Sequence, residues 1–302
     1  MNKTRVITAV VMSVVLIPFI FLGGYFTYFM AAILSFIGSY ELVKMHNDKC
    51  SLPKTLNLVV PFASLCLMLV VVLGKITNIS NIINYFAFCL LLLITLFLCL
   101  PLFYKELKMT DGFYYIASLF YGGISFVIIA SIRNAEIISE KNLILGNYDI
   151  NLPALLVFCY PLACSMFTDI FAYEIGRRYG KHKLIPDVSP NKSIEGSIGG
   201  SIMGTIIGSL ILILSENFLG FNLFNIKNEF LHILLIIIFS LLLTIVSQIG
   251  DLIASKLKRE YGIKDYGKIF PGHGGVMDRF DSLILTSIVF FIVLAIFGVV
   301  LC

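Results

Sequence analysis

The stretch FLHILLIIIFSLLLTIVSQIG occupies residues 230–250 and contains no charged side chain. As an α-helix it would extend about 30 Å, which matches the thickness of the hydrocarbon core of a bilayer. A helix on the surface of a soluble protein has one apolar stripe, whereas this stretch is apolar on almost every side. The stretch therefore predicts a membrane-spanning helix.

Similar apolar runs recur along the whole chain of 302 residues, of which 59% are hydrophobic and only 13% are charged. Ordinary soluble domains contain ~25% charged residues, so this composition excludes a soluble enzyme, a disordered chain and a disulfide scaffold. Lipid offers no hydrogen-bond partner to an exposed backbone, which makes helices the expected spanning structure. We predict an all-α, polytopic integral membrane protein with about nine transmembrane helices. They lie near residues 4–22, 25–45, 56–74, 82–104, 113–132, 152–175, 197–214, 230–250 and 282–301.

The basic residues are distributed asymmetrically between the two sides that these helices define. Of the 22 lysines and arginines, only Lys75, Arg133, Lys141 and Lys227 fall on the side opposite the N-terminus. The positive-inside rule therefore predicts a multi-pass protein of the cell membrane with its N-terminus and polar loops in the cytoplasm. Topology accounts for the basic residues, so no nucleic-acid partner is predicted, and anionic membrane lipids are the expected neighbours.

The chain divides into two regions by the chemistry of its loops. Residues 1–150 contain helices 1–5 with short, plain loops, and residues 151–302 contain helices 6–9 with two cytoplasmic loops rich in polar residues. The seven cysteines lie mostly in apolar runs without a CxxC pair, and the four histidines are not spaced for zinc. The cysteines are therefore interpreted as small buried apolar residues.

The first polar segment surrounds the end of helix 6. Asp169 precedes Arg177 by eight residues and so lies about 12 Å inside the membrane boundary, where a carboxylate is either functional or paired with an arginine. The segment 189–193 is a turn by composition and leads into helix 7, whose N-terminus is suited to phosphate. The glycines Gly199, Gly200, Gly204 and Gly208 indicate close helix packing.

The second polar segment follows helix 8. If that helix continues past residue 250, Asp251, Ser255 and Lys258 share one face. If helix 9 begins near Met277, Asp278 and Asp281 also share a face. Carboxylates beside several cations are typical of a Mg²⁺–phosphate site.

Between these two helices, Pro271-Gly272-His273-Gly274-Gly275 indicates a tight approach of the backbone to another group. A plain linker needs no such cluster of glycines. The histidine in this segment is either an ordinary loop residue or a group with a phosphate or proton role.

These segments resemble the phosphatidate cytidylyltransferases, also called CDP-diacylglycerol synthases. The resemblance covers roughly residues 165–285, with Ser193 in place of the usual threonine and Ala254 in place of a frequent acidic residue. The C-terminal signature of that family is matched by Ser255, Leu257, Lys258, Arg259, Lys264, Asp265, Pro271, His273, Gly274, Gly275, Asp278, Arg279 and Asp281. The stretch from Asp169 to Arg177 and the segment 189–196 are also similar to family segments.

The resemblance implies an enzyme that couples phosphatidate to CTP, giving CDP-diacylglycerol and pyrophosphate with Mg²⁺ as cofactor, and it suggests a homodimer. It implies metal binding by Asp251, Asp278 and Asp281. The implied catalytic residues are Lys258, Arg259, Lys264, Asp265 and His273. The implied substrate-binding residues are Arg177, Ser189, Asn191, Lys192, Ser193, Glu195 and Ser255.

Two other functions remain open at this point. A membrane transporter would explain a buried charge such as Asp169, although transporters place their polar groups near the bilayer midplane. A CDP-alcohol phosphotransferase would begin its motif with Asp-Gly-x-x-Ala-Arg, but Asp111-Gly112 is followed here by Phe113-Tyr114-Tyr115.

Overall fold

The computed structural model describes residues 3–77, 82–135, 143–145, 148–224 and 226–297. Its long helices are α1 (Lys3–Leu22), α2 (Gly24–Cys50), α3 (Val59–Ile76), α4 (Ile82–Phe103), α7 (Leu152–Tyr179), α8 (Ile194–Leu219), α9 (Glu229–Glu260) and α10 (Met277–Ile296). A ninth long segment consists of α5 (Met109–Ser118), a π-helical turn (Leu119–Ile124) and α6 (Ser125–Arg133). A short 3₁₀ turn (Lys54–Leu58) precedes α3.

The predicted membrane spans each coincide with one of these helical segments. Among the described residues, eight segments are long and apolar enough to cross a membrane, and α1 contributes the shorter apolar stretch Val10–Leu22. The prediction of an all-α polytopic membrane protein is thus confirmed. The last helix begins at Met277 rather than at residue 282, because its first turn is charged and hydropathy excludes it. The predicted end of that helix, residue 301, lies outside the described residues.

The glycines of α8 pack against α7, as predicted. A Cβ atom added at Gly200 would lie 2.6 Å from the Thr168 carbonyl oxygen, and Gly199, Gly204 and Gly208 also leave no room for a side chain. In a membrane the hydrophobic effect does not drive helices together, so close approach of the two backbones stabilises the pair through van der Waals contact. The tight pair α7–α8 forms a rigid support for the polar residues at its end.

Helix α2 connects the two halves of the chain. Its Tyr28 and Leu42 belong to a large core cluster together with Val157 and Phe290, whereas its Val43 joins a smaller cluster around α3 to α5. Helix α4 is peripheral, and of its side chains only Phe97 is buried. The larger core therefore combines residues from both regions predicted from the loops.

The polar loops meet at one end of the bundle. Thr8 Oγ1 donates to the Pro271 carbonyl oxygen at 3.0 Å, and Lys49 Nζ donates to the Glu260 carbonyl oxygen at 2.7 Å. At the other end, Arg133 is 2% exposed and donates through Nη2 to the Phe21 carbonyl oxygen at 2.8 Å. Arg133 is one of the four basic residues on the side opposite the N-terminus. Its hydrogen bonds, which connect α6 to the end of α1, explain its position there.

Two short antiparallel hairpins interrupt the helices. Strand β1 (Leu143–Leu145) pairs with β2 (Tyr148–Ile150), and β3 (Lys183–Ile185) pairs with β4 (Ser189–Ser193). The prediction of a turn at residues 189–193 is wrong, because this segment is strand β4 and the turn lies at residues 186–188. Its Pro190 stands in a two-stranded hairpin where both strands are edges, a position that tolerates a residue without an N–H group.

Candidate active site

Three carboxylates from different helices converge at the end of the bundle that carries the polar loops. Ser282 Oγ on α10 donates to Asp169 Oδ2 of α7 at 3.1 Å and lies 3.4 Å from Oδ1 of the adjacent Asp281. Asp251 of α9 lies close enough to both Asp169 and Asp281 for like-charge repulsion. These three residues, Asp169, Asp251 and Asp281, are called the carboxylate cluster below.

Asp169 lies on the exposed face of α7 and, among the described residues, forms no ion pair with an arginine. The structural alternative considered for it, an arginine salt bridge, is therefore not what the structure shows. Its position beside Asp281 makes it a member of the site, which the metal-binding set predicted from the sequence did not include.

Asp251 is the most closely partnered member of the cluster. Its Oδ2 pairs with Lys192 Nζ of β4 at 2.5 Å, and its Oδ1 accepts from Ser255 Oγ at 3.2 Å. The hairpin therefore brings Lys192 to the carboxylates, and the predicted continuation of α9 places Ser255 one turn from Asp251. Three carboxylates and one paired lysine leave a site that is rich in negative charge.

Asp278 occupies a different environment although it lies one turn from Asp281. Its Oδ1 pairs with Lys258 Nζ at 2.9 Å, and its Oδ2 accepts from the backbone N–H groups of Tyr266 (2.7 Å) and Gly275 (2.9 Å). Asp278 and Lys258 are both largely buried, with side chains 3% and 13% exposed. In this structure Asp278 therefore holds the α9–α10 loop in place.

The α9–α10 loop is further ordered by Tyr266. Its hydroxyl donates to the Ala254 carbonyl oxygen at 2.9 Å, and its ring lies 5.3 Å from Lys258 Nζ. Burial raises the pKa of Tyr266 above its usual range, so the hydroxyl remains a donor. His273 lies in the same loop, and its buried Nδ1 has no hydrogen-bond partner among the residues that the structure describes, which leaves it able to bond a substrate group or a water molecule.

The remaining predicted residues divide into two groups. Ser193 caps α8 by accepting from the Gly196 N–H at 3.2 Å, and Glu195 accepts from His182 Nδ1 at 2.6 Å. These two side chains order the hairpin and the start of α8. The others lie on the surrounding surface, where Ser189 is half-buried and Arg177, Asn191, Arg259, Lys264 and Asp265 are exposed.

Two residues of the N-terminal half also reach this region and were not predicted. Glu41 is a carboxylate within a predicted span, the same signal that singled out Asp169, whereas no local signal marks Tyr121. The Tyr121 hydroxyl, in the π-helical turn, is buried, has no hydrogen-bond partner in the described part of the chain and lies within electrostatic range of Asp281 and Asp251. Glu41 of α2 accepts hydrogen bonds from the backbone at the start of α10. Single π-helical turns are frequent at functional sites, and this turn would have been difficult to predict from the sequence.

A second polar cluster lies near the end of α9. His46 Nε2 contacts Asp111 Oδ1 at 2.9 Å and its Nδ1 contacts the Tyr261 hydroxyl at 2.8 Å, while Cys50 Sγ lies 3.8 Å from Nε2. Burial raises the pKa of Tyr261, which keeps its hydroxyl protonated. The spacing of the histidines and cysteines did not predict this juxtaposition, and the hydrogen bonds account for it as a link between α2, α5 and α9.

The donor set of the carboxylate cluster fits Mg²⁺. Mg²⁺ prefers oxygen ligands, commonly one or two carboxylates together with phosphate and water. Among the described residues neither Asp169 nor Asp281 forms a direct ion pair, although Lys192 lies within electrostatic range of Asp169 and Lys258 within range of Asp281. Asp251 pairs directly with Lys192. Asp278 has its oxygens engaged by Lys258 and two backbone N–H groups, so its predicted metal role would require these contacts to rearrange.

Comparisons with known proteins identify the family of this chain. The sequence profile described as "Cytidylyltransferase family" matches residues 3–297. Proteins named phosphatidate cytidylyltransferase are similar over nearly their whole length. The protein of Staphylococcus saprophyticus is 31% identical over 281 residues, which are 93% of this chain and 94% of the relative. The protein of Staphylococcus aureus strain COL is 30% identical over the same shares.

These matches favour the cytidylyltransferase prediction over the transporter and the CDP-alcohol phosphotransferase. They extend well beyond residues 165–285, which carried the resemblance, and include the N-terminal helices. The chain belongs to the cytidylyltransferase family and is a membrane-embedded nucleotidyltransferase.

Proposed function

We propose that the protein transfers the cytidylyl group of CTP to phosphatidate, giving CDP-diacylglycerol and pyrophosphate with Mg²⁺ as cofactor. The observation that carries this proposal is the convergence of Asp169, Asp251 and Asp281 beside Lys192, at the end of helices that span the membrane. A lipid phosphate and a water-soluble nucleotide can meet only at such a boundary. Relatives that are 31% identical carry the name of this activity.

In the proposed reaction a phosphate oxygen of phosphatidate attacks the α-phosphorus of CTP. A new P–O bond forms, the bond between the α-phosphorus and the bridging oxygen breaks, and its electron pair leaves with pyrophosphate. The second pKa of a phosphate monoester is near ~6, so the attacking oxygen is largely ionised without a strong base. This agrees with a site that has carboxylates and cations but no nucleophile–base pair among the described residues.

The protein's task is to bring two polyanions together and to stabilise the charge that develops on the leaving group. Bound Mg²⁺ would supply charge neutralisation on the phosphates, and Asp169, Asp251 and Asp281 would hold it. Lys192 lies at the cluster, and Arg259 and Lys264 lie on the exposed surface nearby, where each would contact phosphate groups. His273 Nδ1 is an additional candidate contact.

The test is an assay of the purified protein in detergent with phosphatidate, labelled CTP and Mg²⁺. The proposal predicts a lipid-soluble cytidine product and an equal amount of pyrophosphate, both lost when EDTA is added. A protein that consumed CDP-diacylglycerol instead, or formed no lipid product with CTP, would disprove the proposed reaction.

Arg259→Ala is expected to weaken substrate capture with little effect on stability, because Arg259 is exposed on the last turn of α9. A charge-assisted contact to phosphate contributes ~1.5–3 kcal/mol, which corresponds to roughly a ten- to hundred-fold loss in kcat/KM. The matched control is Lys256→Ala, an exposed cation of the same turn whose nearest partner is Glu260 at 3.7 Å. If the two variants had equal kcat/KM values, Arg259 would have no role in substrate binding beyond contributing to the positive charge of a cytoplasmic loop.

We also propose that the site faces the cytoplasm, where CTP is available. In a variant whose native cysteines have been replaced, Asn191→Cys on the exposed part of β4 is expected to react with an impermeant thiol reagent only after the cytoplasmic face is opened. Labelling of intact cells from outside would reverse the proposed orientation.

A further inference from the structure

Helix α10 carries Asp278, Asp281 and Ser282, yet it lacks a cap of its own. Helices α7, α8 and α9 begin after Asn151, Ser193 and Asn228, and each of these side chains accepts an N–H from the first turn. The residue before α10 is Val276, whose side chain accepts nothing. The first N–H groups of a helix need partners, and burying them without one costs free energy.

The missing cap is supplied by the distant Glu41, near the middle of α2. Its Oε1 accepts from the Val276 N–H at 3.1 Å and its Oε2 accepts from the Met277 N–H at 3.0 Å. Glu41 is 4% exposed, so both contacts are shielded from water. A carboxylate at a helix N-terminus is also favoured by the helix dipole.

Glu41 also explains the glycines in the α9–α10 loop. Cβ atoms added at Gly267 or at Gly275 would overlap the Glu41 carboxylate, with its Cδ atom at 2.8 Å and 2.5 Å respectively. Within the glycine-rich run 271–275, Gly275 therefore lies against the carboxylate of Glu41, whereas Gly274 lies against that of Asp278. On its other side the loop is held by Asp278, which accepts from Tyr266 and Gly275.

We propose that Glu41 is a positioning residue of the active site, through which the N-terminal half sets the place of α10 and hence of Asp281. The assignment of Asp281 to the reaction rests on the proposed function, whereas the contact of Glu41 with α10 does not. A shift of the first turn of α10 would move Ser282 away from its partner Asp169. It would also change the distance between Asp281 and Asp251. Misplacement of a catalytic group by about 1 Å can lower a rate ~100-fold.

The first test compares Glu41→Gln with Glu216→Gln. Glu216 is the control because it is also a buried carboxylate that accepts a backbone N–H, from Leu223 at 2.7 Å, and it lies outside the site. It differs from Glu41 in also pairing with His232 Nε2 at 2.6 Å, so its variant tests the loss of a buried carboxylate more severely. We expect Glu41→Gln to lower kcat at least tenfold, with less than a threefold change in KM for CTP, and Glu216→Gln to retain kcat. Equal kcat values for Glu41→Gln and the wild type, measured on folded protein, would overturn the proposal.

The second test does not depend on catalysis. Hydrogen exchange of peptides covering residues 265–281 is expected to accelerate in Glu41→Gln and to stay unchanged in Glu216→Gln. Faster exchange throughout the protein would indicate a general structural role and contradict a positioning role. If the wild type formed no lipid cytidine product, the proposed function would fail while this exchange difference would still report on the contact.

A double-mutant cycle measures the coupling between Gly267 and Glu41, even if each single change also affects folding. Gly267→Ala adds a Cβ atom against the Glu41 carboxylate, so it is expected to lower activity at least tenfold in the wild-type background. In the Glu41→Ala background the carboxylate is gone and the closest remaining contact of this Cβ is Gly275 Cα at 3.2 Å, so the same change is expected to have less than a twofold further effect. Equal losses in both backgrounds would show that Gly267 and Glu41 act independently, contrary to the proposal.

Discussion

Asp281→Asn is expected to lower turnover about a hundred-fold or more, because the proposed metal ion would contribute several kcal/mol of charge stabilisation and this variant removes one of its proposed charged ligands. The protein should still insert and purify normally. Among the described residues, Asp281 accepts hydrogen bonds only from its neighbour Ser282, and the asparagine amide oxygen can replace that acceptor. The measurement is activity as a function of Mg²⁺ concentration. We expect the residual activity of the variant to require a higher Mg²⁺ concentration than the activity of the wild type.

The control for this variant is Asp187→Asn. Asp187 is exposed in the turn between β3 and β4, and its change should be nearly silent. Asp169→Asn, in contrast, should resemble Asp281→Asn, because Ser282 Oγ donates to Asp169 as well. Full activity of Asp281→Asn at ordinary Mg²⁺ would remove this residue from the metal-binding set.

Asp278→Asn is expected to have the largest effect on stability. It leaves the Lys258 ammonium, 13% exposed, without its carboxylate, and breaking a buried ion pair from one side costs ~3–5 kcal/mol. The amide group can no longer accept from Lys258, Tyr266 and Gly275 together. We therefore expect a lowered melting temperature and faster hydrogen exchange of the α9–α10 loop, along with lost activity.

The matched control is Glu174→Gln, which breaks the surface pair with Arg178, whose side chain is 70% exposed. Exposed pairs contribute ~0–1 kcal/mol, so little loss of stability is expected there. A different outcome would make Asp278 a metal ligand, as the family resemblance implies. In that case Asp278→Asn would lose activity and would be stabilised less by Mg²⁺, but it would keep the melting temperature of the wild type. If Asp278 instead holds the α9–α10 loop in place, adding Lys258→Met to Asp278→Asn should restore part of the stability, since no unpaired charge then remains.

Most of the spans and the main site residues could be predicted from local sequence. Apolar runs of about 20 residues can only be helices in lipid, so composition alone predicted the helices. The continuation of α9 beyond residue 250 and the start of α10 near Met277 were conditions of the predicted metal site, and both are met. The segment 189–193 was misjudged because Pro190 and small polar residues are typical of turns, whereas pairing with β3 decided its conformation.

The grouping of the carboxylates could not be predicted in the same way. Asp278 and Asp281 lie on adjacent turns of α10 and were expected to act together, but the α9–α10 loop supplies donors to Asp278. Asp169 was identified as a costly intramembrane charge, yet its partner Ser282 is 113 residues away in the chain. Helical periodicity places side chains on a face of one helix and says nothing about which neighbouring helix that face meets.

The sequence by itself determined that this chain crosses the membrane, which loops concentrate its polar residues and which family it resembles, because hydropathy, charge asymmetry and short motifs are local properties. Only the tertiary structure decided which carboxylates meet, and that Glu41 lies against Gly267 and Gly275 at the start of α10. The physical reason is that a buried hydrogen-bonding group must find a partner somewhere in the fold. The partner can be more than 200 residues away, as it is for Val276 and Glu41.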